Sequence, residues 1–372
     1  MTGRRIPVAD GVNPALRSLL TVLLGTEQVD AVMTPSRIPS GESFAWLLVR
    51  DPELLATATP LPPVMPVQGA RALHSLGYEA GNRTRMLCVL RPCEARATVE
   101  LAKRNQVELD NLVVLTVDCP GAFPTLDYTR GADEFDRMFE TAFSGNRPDG
   151  LRPACLACAA FSDHGVAPDI HVGLVGGELV VLPKTDRGRE LLDAAGLSGD
   201  DDVSDWRAAV DKESEARRAA QDRAFQETAD RTGGADGFDK LLADCINCHN
   251  CMRVCPICYC RQCLFDSADE VRIRAEDYLA RARHRGGIRF PGEMMKFHLG
   301  RMYHMALSCV ACGACEDACP MDVPVSRLFA FVGDRVQADF GYVPGRDREE
   351  PMPMTTFEEN ELHAFEDAGG AE

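Results

Sequence analysis

No stretch of the sequence reaches the roughly eighteen apolar residues that a membrane-spanning helix requires, and the nearest candidate, Leu16 to Leu24, is broken by Arg17 and Ser18. Arg4 and Arg5 precede that segment but no small-residue cleavage site follows it, so it reads as a buried helix and not as an export signal. Positive charge is scarce: 40 Lys and Arg stand against 57 Asp and Glu, for a net charge of −17, and no basic block interrupts the chain. Aromatic residues are only 6% of it. A protein so short of cations and of stacking side chains is not expected to bind nucleic acid or an anionic membrane surface.

Cysteine is what the chain has in excess, 16 in 372 residues. Disulfide scaffolds of that density are short secreted chains; here the thiols are expected to be reduced and the protein cytoplasmic. Cys245, Cys248, Cys251 and Cys255, followed by Pro256, have the spacing CxxCxxCxxxCP, and Cys309, Cys312, Cys315 and Cys319 with Pro320 repeat it. Three cysteines two residues apart can wrap an iron-sulfur cube while the intervening amides point at its sulfides, and the cysteine before proline crosses to the other cube. Two 4Fe-4S clusters are therefore expected, one on Cys245, Cys248, Cys251 and Cys319, the other on Cys309, Cys312, Cys315 and Cys255. Zinc is the competing reading, but zinc sites use CxxC pairs, and a third cysteine with a trailing CysPro is surplus to a tetrahedral ion.

Residues 1–200 alternate helical and extended patterns and are expected to form an α/β domain with a partly parallel sheet. Asn13 and Pro14 can open a helix to about Gly25; Ala31 to Met33 and Phe44 to Val49 read as strands, and Gln68 to Leu76 as a helix. Met86 to Leu90, Glu94 to Lys103 and Leu112 to Val117 read as strand, helix and strand, a crossover that makes the two strands parallel. Residues 201–237 read as a charged helical linker, solvated from Ser204 to about Thr228 and ending at Gly233, Gly234 and Gly237. Residues 238–345 are the expected dicluster domain. The 53 residues from Pro256 to Ser308 exceed what a β-hairpin ferredoxin needs, and Ala275 to Arg285, Glu293 to Leu307 and Val325 to Phe340 read as helices, so the α-helical type is expected. Residues 346–372 form an acidic tail, with nine acidic residues against one basic from Asp347 onward, expected to be extended or disordered.

Arg91, Pro92 and Cys93 leave the C-terminal end of one strand, and Asp118, Cys119, Pro120 and Gly121 leave the same end of the next, the edge at which open α/β sheets place ligands. Cys155 and Cys158 add a CxxC on a later loop, ahead of strands near His171 to Val175 and Leu179 to Leu182. Cys93, Cys119, Cys155 and Cys158 can hold a third 4Fe-4S cluster; the alternative is packing, since buried free cysteine is a small hydrophobe. Cys88, inside its strand, reads as core. Arg91, Glu94 and Arg96 read as a surface salt-bridge network or as a holder of an anionic ligand. Cys258, Cys260 and Cys263 have no fourth ligand nearby except His249 or a distant cysteine, and stay open between an additional cluster and redox-sensing or structural thiols. His298 and His304, beside Met295, Met302 and Met305, read as a packed helix face more readily than as haem ligands.

Taken together, VLRPCEARATVEL, VDCPG, RPACLAC, CINCHNCMRVCPICYC and SCVACGACEDACPMDVP make the chain resemble the beta-subunit family of coenzyme F420 hydrogenases and dehydrogenases, in the branch where a formate dehydrogenase beta subunit is fused to a dicluster ferredoxin, over roughly residues 10–350. The resemblance implies an N-terminal domain that binds FAD and a cluster and exchanges a hydride with the deazaflavin coenzyme, with Cys93, Cys119, Cys155 and Cys158 holding the cluster next to the flavin. It also implies a ferredoxin part that carries single electrons to a partner. Where flavin-binding members have a glycine-rich turn into a helix, this chain reads GVNPALRSLL and keeps Gly11 alone. The expectation is an iron-sulfur electron-transfer subunit of a multisubunit oxidoreductase. Its partner is expected to be a catalytic subunit of a formate dehydrogenase or hydrogenase, or a heterodisulfide reductase-like flavoprotein. The alternatives are a flavin-less relay or adaptor subunit with no catalysis of its own, and a cluster-based redox sensor using Cys258, Cys260 and Cys263.

Overall fold

The computed structural model describes residues 2–80, 84–144, 147–260, 263, 265, 279–280, 283–284 and 293–356. Strands β1 (Thr2–Pro7), β2 (Ala31–Arg37), β3 (Phe44–Val49), β4 (Met86–Leu90), β5 (Leu112–Val117), β6 (Ile170–Val175), β7 (Glu178–Pro183) and β8 (Asp201–Asp202) form one mixed sheet in the order β3-β2-β4-β5-β6-β7-β1-β8. Its middle is parallel, β2, β4, β5 and β6 running together, while the pairs at both ends are antiparallel. Side chains alternate between two cores. Leu87, Val89, Val113 and Leu115 pack with the Val12–Leu24 helix, whereas Met86, Cys88, Leu112 and Val114 pack on the opposite face. A sheet buried on both faces needs apolar residues at every position, which is why β4 and β5 are continuous apolar runs and why Cys88 is core.

The crossover from β4 through the Pro92–Ala102 helix to β5 is as expected, with Leu87 opposite Val113 in parallel register. It delivers Cys93 and Cys119 to the same sheet edge. β1 has no apolar run of its own; Arg4 and Arg5 lie within it, and it becomes a strand because β7 offers an antiparallel edge and Arg5 pairs with Glu178 at 2.6 Å.

The Ser204–Thr232 helix corrects the expectation of a solvated linker. Its first turns are docked: Trp206 is fully buried among Phe161, Val180 and Leu182, and its indole N–H donates to Asp118 at 2.7 Å. The charged composition hides this because one indole and Val210 suffice to seat the helix. The expected glycine linker is instead the start of a second helix, Gly234–Leu241.

Beyond it, Leu242, Met252, Phe297, Met302, Met305 and Leu328 form a separate core against which both cysteine motifs pack. Glu293–Met305 and Val325–Asp339 are helical; the helix expected over Ala275 to Arg285 falls largely outside the described residues. The chain then folds back on the sheet domain. Tyr342 Oη and the Gly345 amide donate to Glu100 at 2.5 and 2.9 Å, Arg348 donates to Asp169 at 2.9 Å, and Met352 is buried with Leu307 and Tyr342. The start of the expected tail is thus irregular but pinned, because Arg348 meets a buried carboxylate. Residues 357–372 lie outside the described residues. No helix among the described residues is long and apolar enough to cross a membrane.

Asp163 anchors the long helix, accepting from Arg207 and Lys184, each at 2.7 Å. Burial by itself would raise this carboxyl, but the two donors reverse that and hold it well below the usual carboxylate range. A depressed pKa contributes stability above the unfolded value of about 3.9 and loses it only as pH falls through the folded value. Asp163→Asn should therefore lower the unfolding free energy by about 2 kcal/mol. In urea titrations that gap should be full at about pH 7 and shrink as pH is lowered from about 5 towards about 2; a gap that does not change over that acid range would mean that the carboxyl titrates alike in the folded and unfolded chain.

Candidate metal centre

The two cysteine repeats fold alike. Asn247 and His249 flank Cys248 with φ of 56° and 60°, and Ala311 and Gly313 flank Cys312 with φ of 53° and 77°. Alternating right- and left-handed backbone turns successive amides to one side, a concavity that suits an anionic inorganic group. A one-turn helix follows each, Asn250–Arg253 and Ala314–Asp317, carrying Cys251 and Cys315, and the amides of Cys255 and Cys319 close the two turns on Met252 and Glu316 at 3.2 and 3.0 Å.

The cysteines before proline face the opposite repeat. Burial pushes the thiols of Cys309 and Cys312 up to about 11 and about 12, and Cys255 adds to the rise in both and in Cys315. Burial likewise pushes Cys251 up to about 11, with Cys245, Cys248 and Cys319 as its charged neighbours and Arg301 opposing them. Cys255 thus acts on the charge of Cys309, Cys312 and Cys315, and Cys319 on that of Cys245 and Cys251. Arg301, buried, donates to Cys251 Sγ at 3.1 Å and to its carbonyl at 3.2 Å, while the buried His298 places Nε2 3.4 Å from Cys245 Sγ. His298 therefore faces a thiol and His304 points to solvent, so the helix face is packing plus one thiol contact. Sequence reasoning missed Arg301 because an arginine beside Met302 reads as the polar side of a helix.

Cys93, Cys119, Cys155 and Cys158 come together, lining a cavity into which Cys312 also reaches. Asp118 fixes the root of Cys119: it accepts from the Leu174 amide at 2.9 Å and the Trp206 indole at 2.7 Å, and lies 3.1 Å from His171 Nε2. Gly121, at φ 129°, lets that loop close on the other cysteine loop; a Cβ there would lie 3.2 Å from Cys155 Cβ and 3.0 Å from Leu151. Arg91 corrects the surface-network expectation. It is buried and donates to Cys119 Sγ at 2.9 Å, to the Gly121 carbonyl at 2.8 Å and to the Pro62 carbonyl. Glu94 and Arg96 are buried as well. Glu94 accepts from the amides of Arg91 and Gly69, each at 2.8 Å, within the sheet domain, whereas Arg96 donates to the Pro344 carbonyl at 2.8 Å, where the returning chain covers what the sheet domain alone would expose.

The donor set fits an iron-sulfur cube at each of the three places. Buried thiols with raised pKa values need cations before they can ligate as thiolates, and Arg91, Arg152 and Arg301 stand beside them. Arg152 Nη1 and Arg301 Nε are buried with no hydrogen-bond partner in the protein, as suits cations that face an anionic group. Among the described residues no group of three His, Cys, Asp or Glu closes on one metal ion; a cube presents separate corners, so its ligands stand further apart than those of zinc. Of the remaining cysteines, Cys258 lies 3.4 Å from Met305 Sδ and Cys263 3.6 Å from Met252 Sδ, inside the domain core, and Cys260 is exposed.

Residues 241–323 match a family described as a 4Fe-4S dicluster domain. The F420-dependent formate dehydrogenase subunit beta of Methanocaldococcus jannaschii is 26% identical over 70% of this chain and 74% of its own length. Subunit beta of the F420-dependent formate dehydrogenase 1 of Methanococcus maripaludis is 26% identical over 91% and 92%. The chain is a relative of these beta subunits. A chain of the F420-reducing [NiFe] hydrogenase complex from Methanosarcina barkeri superposes with a TM-score of 0.47 and 14% identity, over 63% of this chain and 94% of that one.

The dicluster domain of this beta-subunit relative is bolted to the cysteine chamber. Asp317, between Cys315 and Cys319, accepts from Arg152 at 2.7 Å and from the Thr125 amide and hydroxyl at 2.9 and 2.7 Å. Both side chains are nearly fully buried, at 9% and 3% exposure. Asp317→Ala leaves Arg152 buried without its partner and should cost roughly 3–5 kcal/mol. Calorimetry or urea unfolding of the whole chain checks this, and a loss below about 1 kcal/mol would make the pair an exposed one in effect.

Proposed function

We propose that the chain is the iron-sulfur electron-transfer subunit of a multisubunit oxidoreductase, working with a catalytic subunit of the formate dehydrogenase type that its relatives' names give, or of the hydrogenase type. The observation that carries this reading is the single chamber where four cysteines of the sheet domain meet Cys312 of the dicluster domain. In this reading Cys245, Cys248, Cys251 and Cys319 hold one 4Fe-4S cluster, Cys309, Cys312, Cys315 and Cys255 a second, and Cys93, Cys119, Cys155 and Cys158 a third. Residues 1–200 and 238–345 are the two cluster-bearing domains, and the cytoplasm, where thiols stay reduced, is the compartment that suits them. Bound clusters supply one-electron steps. The residues do the rest: Arg91 and Arg301 direct N–H groups at ligating sulfurs, which raises a cluster's potential, and Asp118 holds the Cys119 loop in place.

A second reading adds a flavin. A cavity of about 400 Å³ shares Cys119, Phe161 and Arg217 with the chamber and is walled further by Phe143, Arg147, Lys212 and Glu213. Two aromatic rings and three cations suit a planar anionic cofactor, which would convert hydride into single electrons beside the cluster. Against this, Asn13 fills the turn after Gly11, donating to the Leu61 carbonyl at 3.1 Å and accepting from its amide at 2.8 Å, where the family has its glycine-rich turn. Iron, acid-labile sulfide and flavin per chain decide the matter on anaerobically purified protein. About twelve iron atoms are expected, falling by about four when Cys155 and Cys158 are both replaced by serine. Unchanged iron in that variant would return the two cysteines to packing. One flavin per chain would establish the hydride-exchanging form, and its absence the relay.

A further inference from the structure

The chamber and the dicluster domain stand in a definite order. Cys312 shares the cavity wall with Cys93, Cys119, Cys155 and Cys158. The next residue, Gly313, has φ 77°, and a Cβ on it would lie 2.6 Å from Ala154 Cβ, so the loop after Cys312 touches the loop before Cys155 with nothing between them. Met65, Ala122 and Ala314 pack there with Cys93, Cys155 and Cys312 in one small apolar cluster. The other cysteine set reaches the surface at Cys248. Cys248 is exposed, Ile246 beside it is 59% exposed, and Met321, two residues beyond Cys319, is 41% exposed.

We propose that these residues set a linear relay: the N-terminal cluster, then the cluster of Cys309, Cys312, Cys315 and Cys255 as the inner station, then the cluster of Cys245, Cys248, Cys251 and Cys319 as the outer station. This order rests on the three-cluster reading above. Clusters held by these three cysteine sets would supply one-electron steps, one oxidised as its neighbour is reduced, with no proton or ligand transferred. Gly313 and Ala154 keep the first gap short by lacking bulk, and Arg152 with Asp317 keeps it fixed. The outer set reaches solvent, so electrons enter or leave the dicluster domain there.

Magnetic interaction between reduced clusters falls steeply with their separation, so low-temperature electron paramagnetic resonance of the dithionite-reduced full chain reads the order. Cys248→Ala removes the outer cluster, about four iron atoms, and should leave an N-terminal and an inner cluster whose signals still broaden each other. Cys312→Ala also removes about four iron atoms, but should leave two isolated signals. Ala154→Leu, made in the Cys248→Ala chain, keeps every remaining ligand; it should weaken the broadening with no further loss of iron, which covers the case in which Cys312→Ala does not fold. Broadening that survives Cys312→Ala and vanishes in Cys248→Ala overturns the order, as does broadening unaffected by Ala154→Leu. About eight iron atoms in the unsubstituted chain would instead sink the three-cluster reading.

Discussion

A buried ion pair between Arg152 and Asp317 joins two loops from distant parts of the chain, and most of what the molecule can do depends on that junction. Arg152 begins the turn that carries Cys155 and Cys158; Asp317 sits inside the second cysteine repeat, between Cys315 and Cys319. Electron transfer slows exponentially with distance, so two cluster-binding loops that only hovered near one another would make a poor relay. The pair, with Thr125 as a second donor to Asp317, removes that freedom. Gly313 and Ala154 then determine how close the backbones come.

The same junction sets an electrostatic problem. Twelve of the 16 cysteines belong to the three proposed sets, most of them half-buried, in a chain whose net charge is −17. Thiolates in such surroundings are costly, as the raised values at Cys155, Cys251, Cys309 and Cys312 show. A few buried arginines offset this locally. Arg91 and Arg301 do so by direct N–H contact with sulfur, and Arg217 stacks on Phe161 at 3.9 Å while donating to the carbonyls of Cys119 and Cys158. The overall acidity is a property of the surface, and the basic residues that matter are inside.

This explains what could and could not be read from the chain. The cysteine repeats were legible because cluster chemistry constrains spacing within a dozen residues, and the β4 to β5 crossover was legible because a sheet buried on both faces needs unbroken apolar strands. Arg91 reads as surface because its partners, Pro62, Cys119 and Gly121, lie about thirty positions away, and Arg96 because the turn at Pro344 that covers it is far along the chain. Arg301 and His298 read as the polar side of a helix, since nothing local announces the sulfurs they face. Trp206 looked like one apolar residue in a charged helix; its partner, Asp118, is 88 positions away.

By itself the sequence determined the local geometry: which cysteines can share a cube, which strands run parallel, and that Cys93 and Cys119 leave one sheet edge. These follow from periodicity and spacing, which act over short range. Only the tertiary structure decided that Cys312 faces the N-terminal cysteines, that Cys248 faces solvent, and which arginines carry buried charge. Such relations depend on how two separately formed cores dock. Docking is governed by shape and by a handful of long-range polar contacts, and it leaves no periodic trace in the chain.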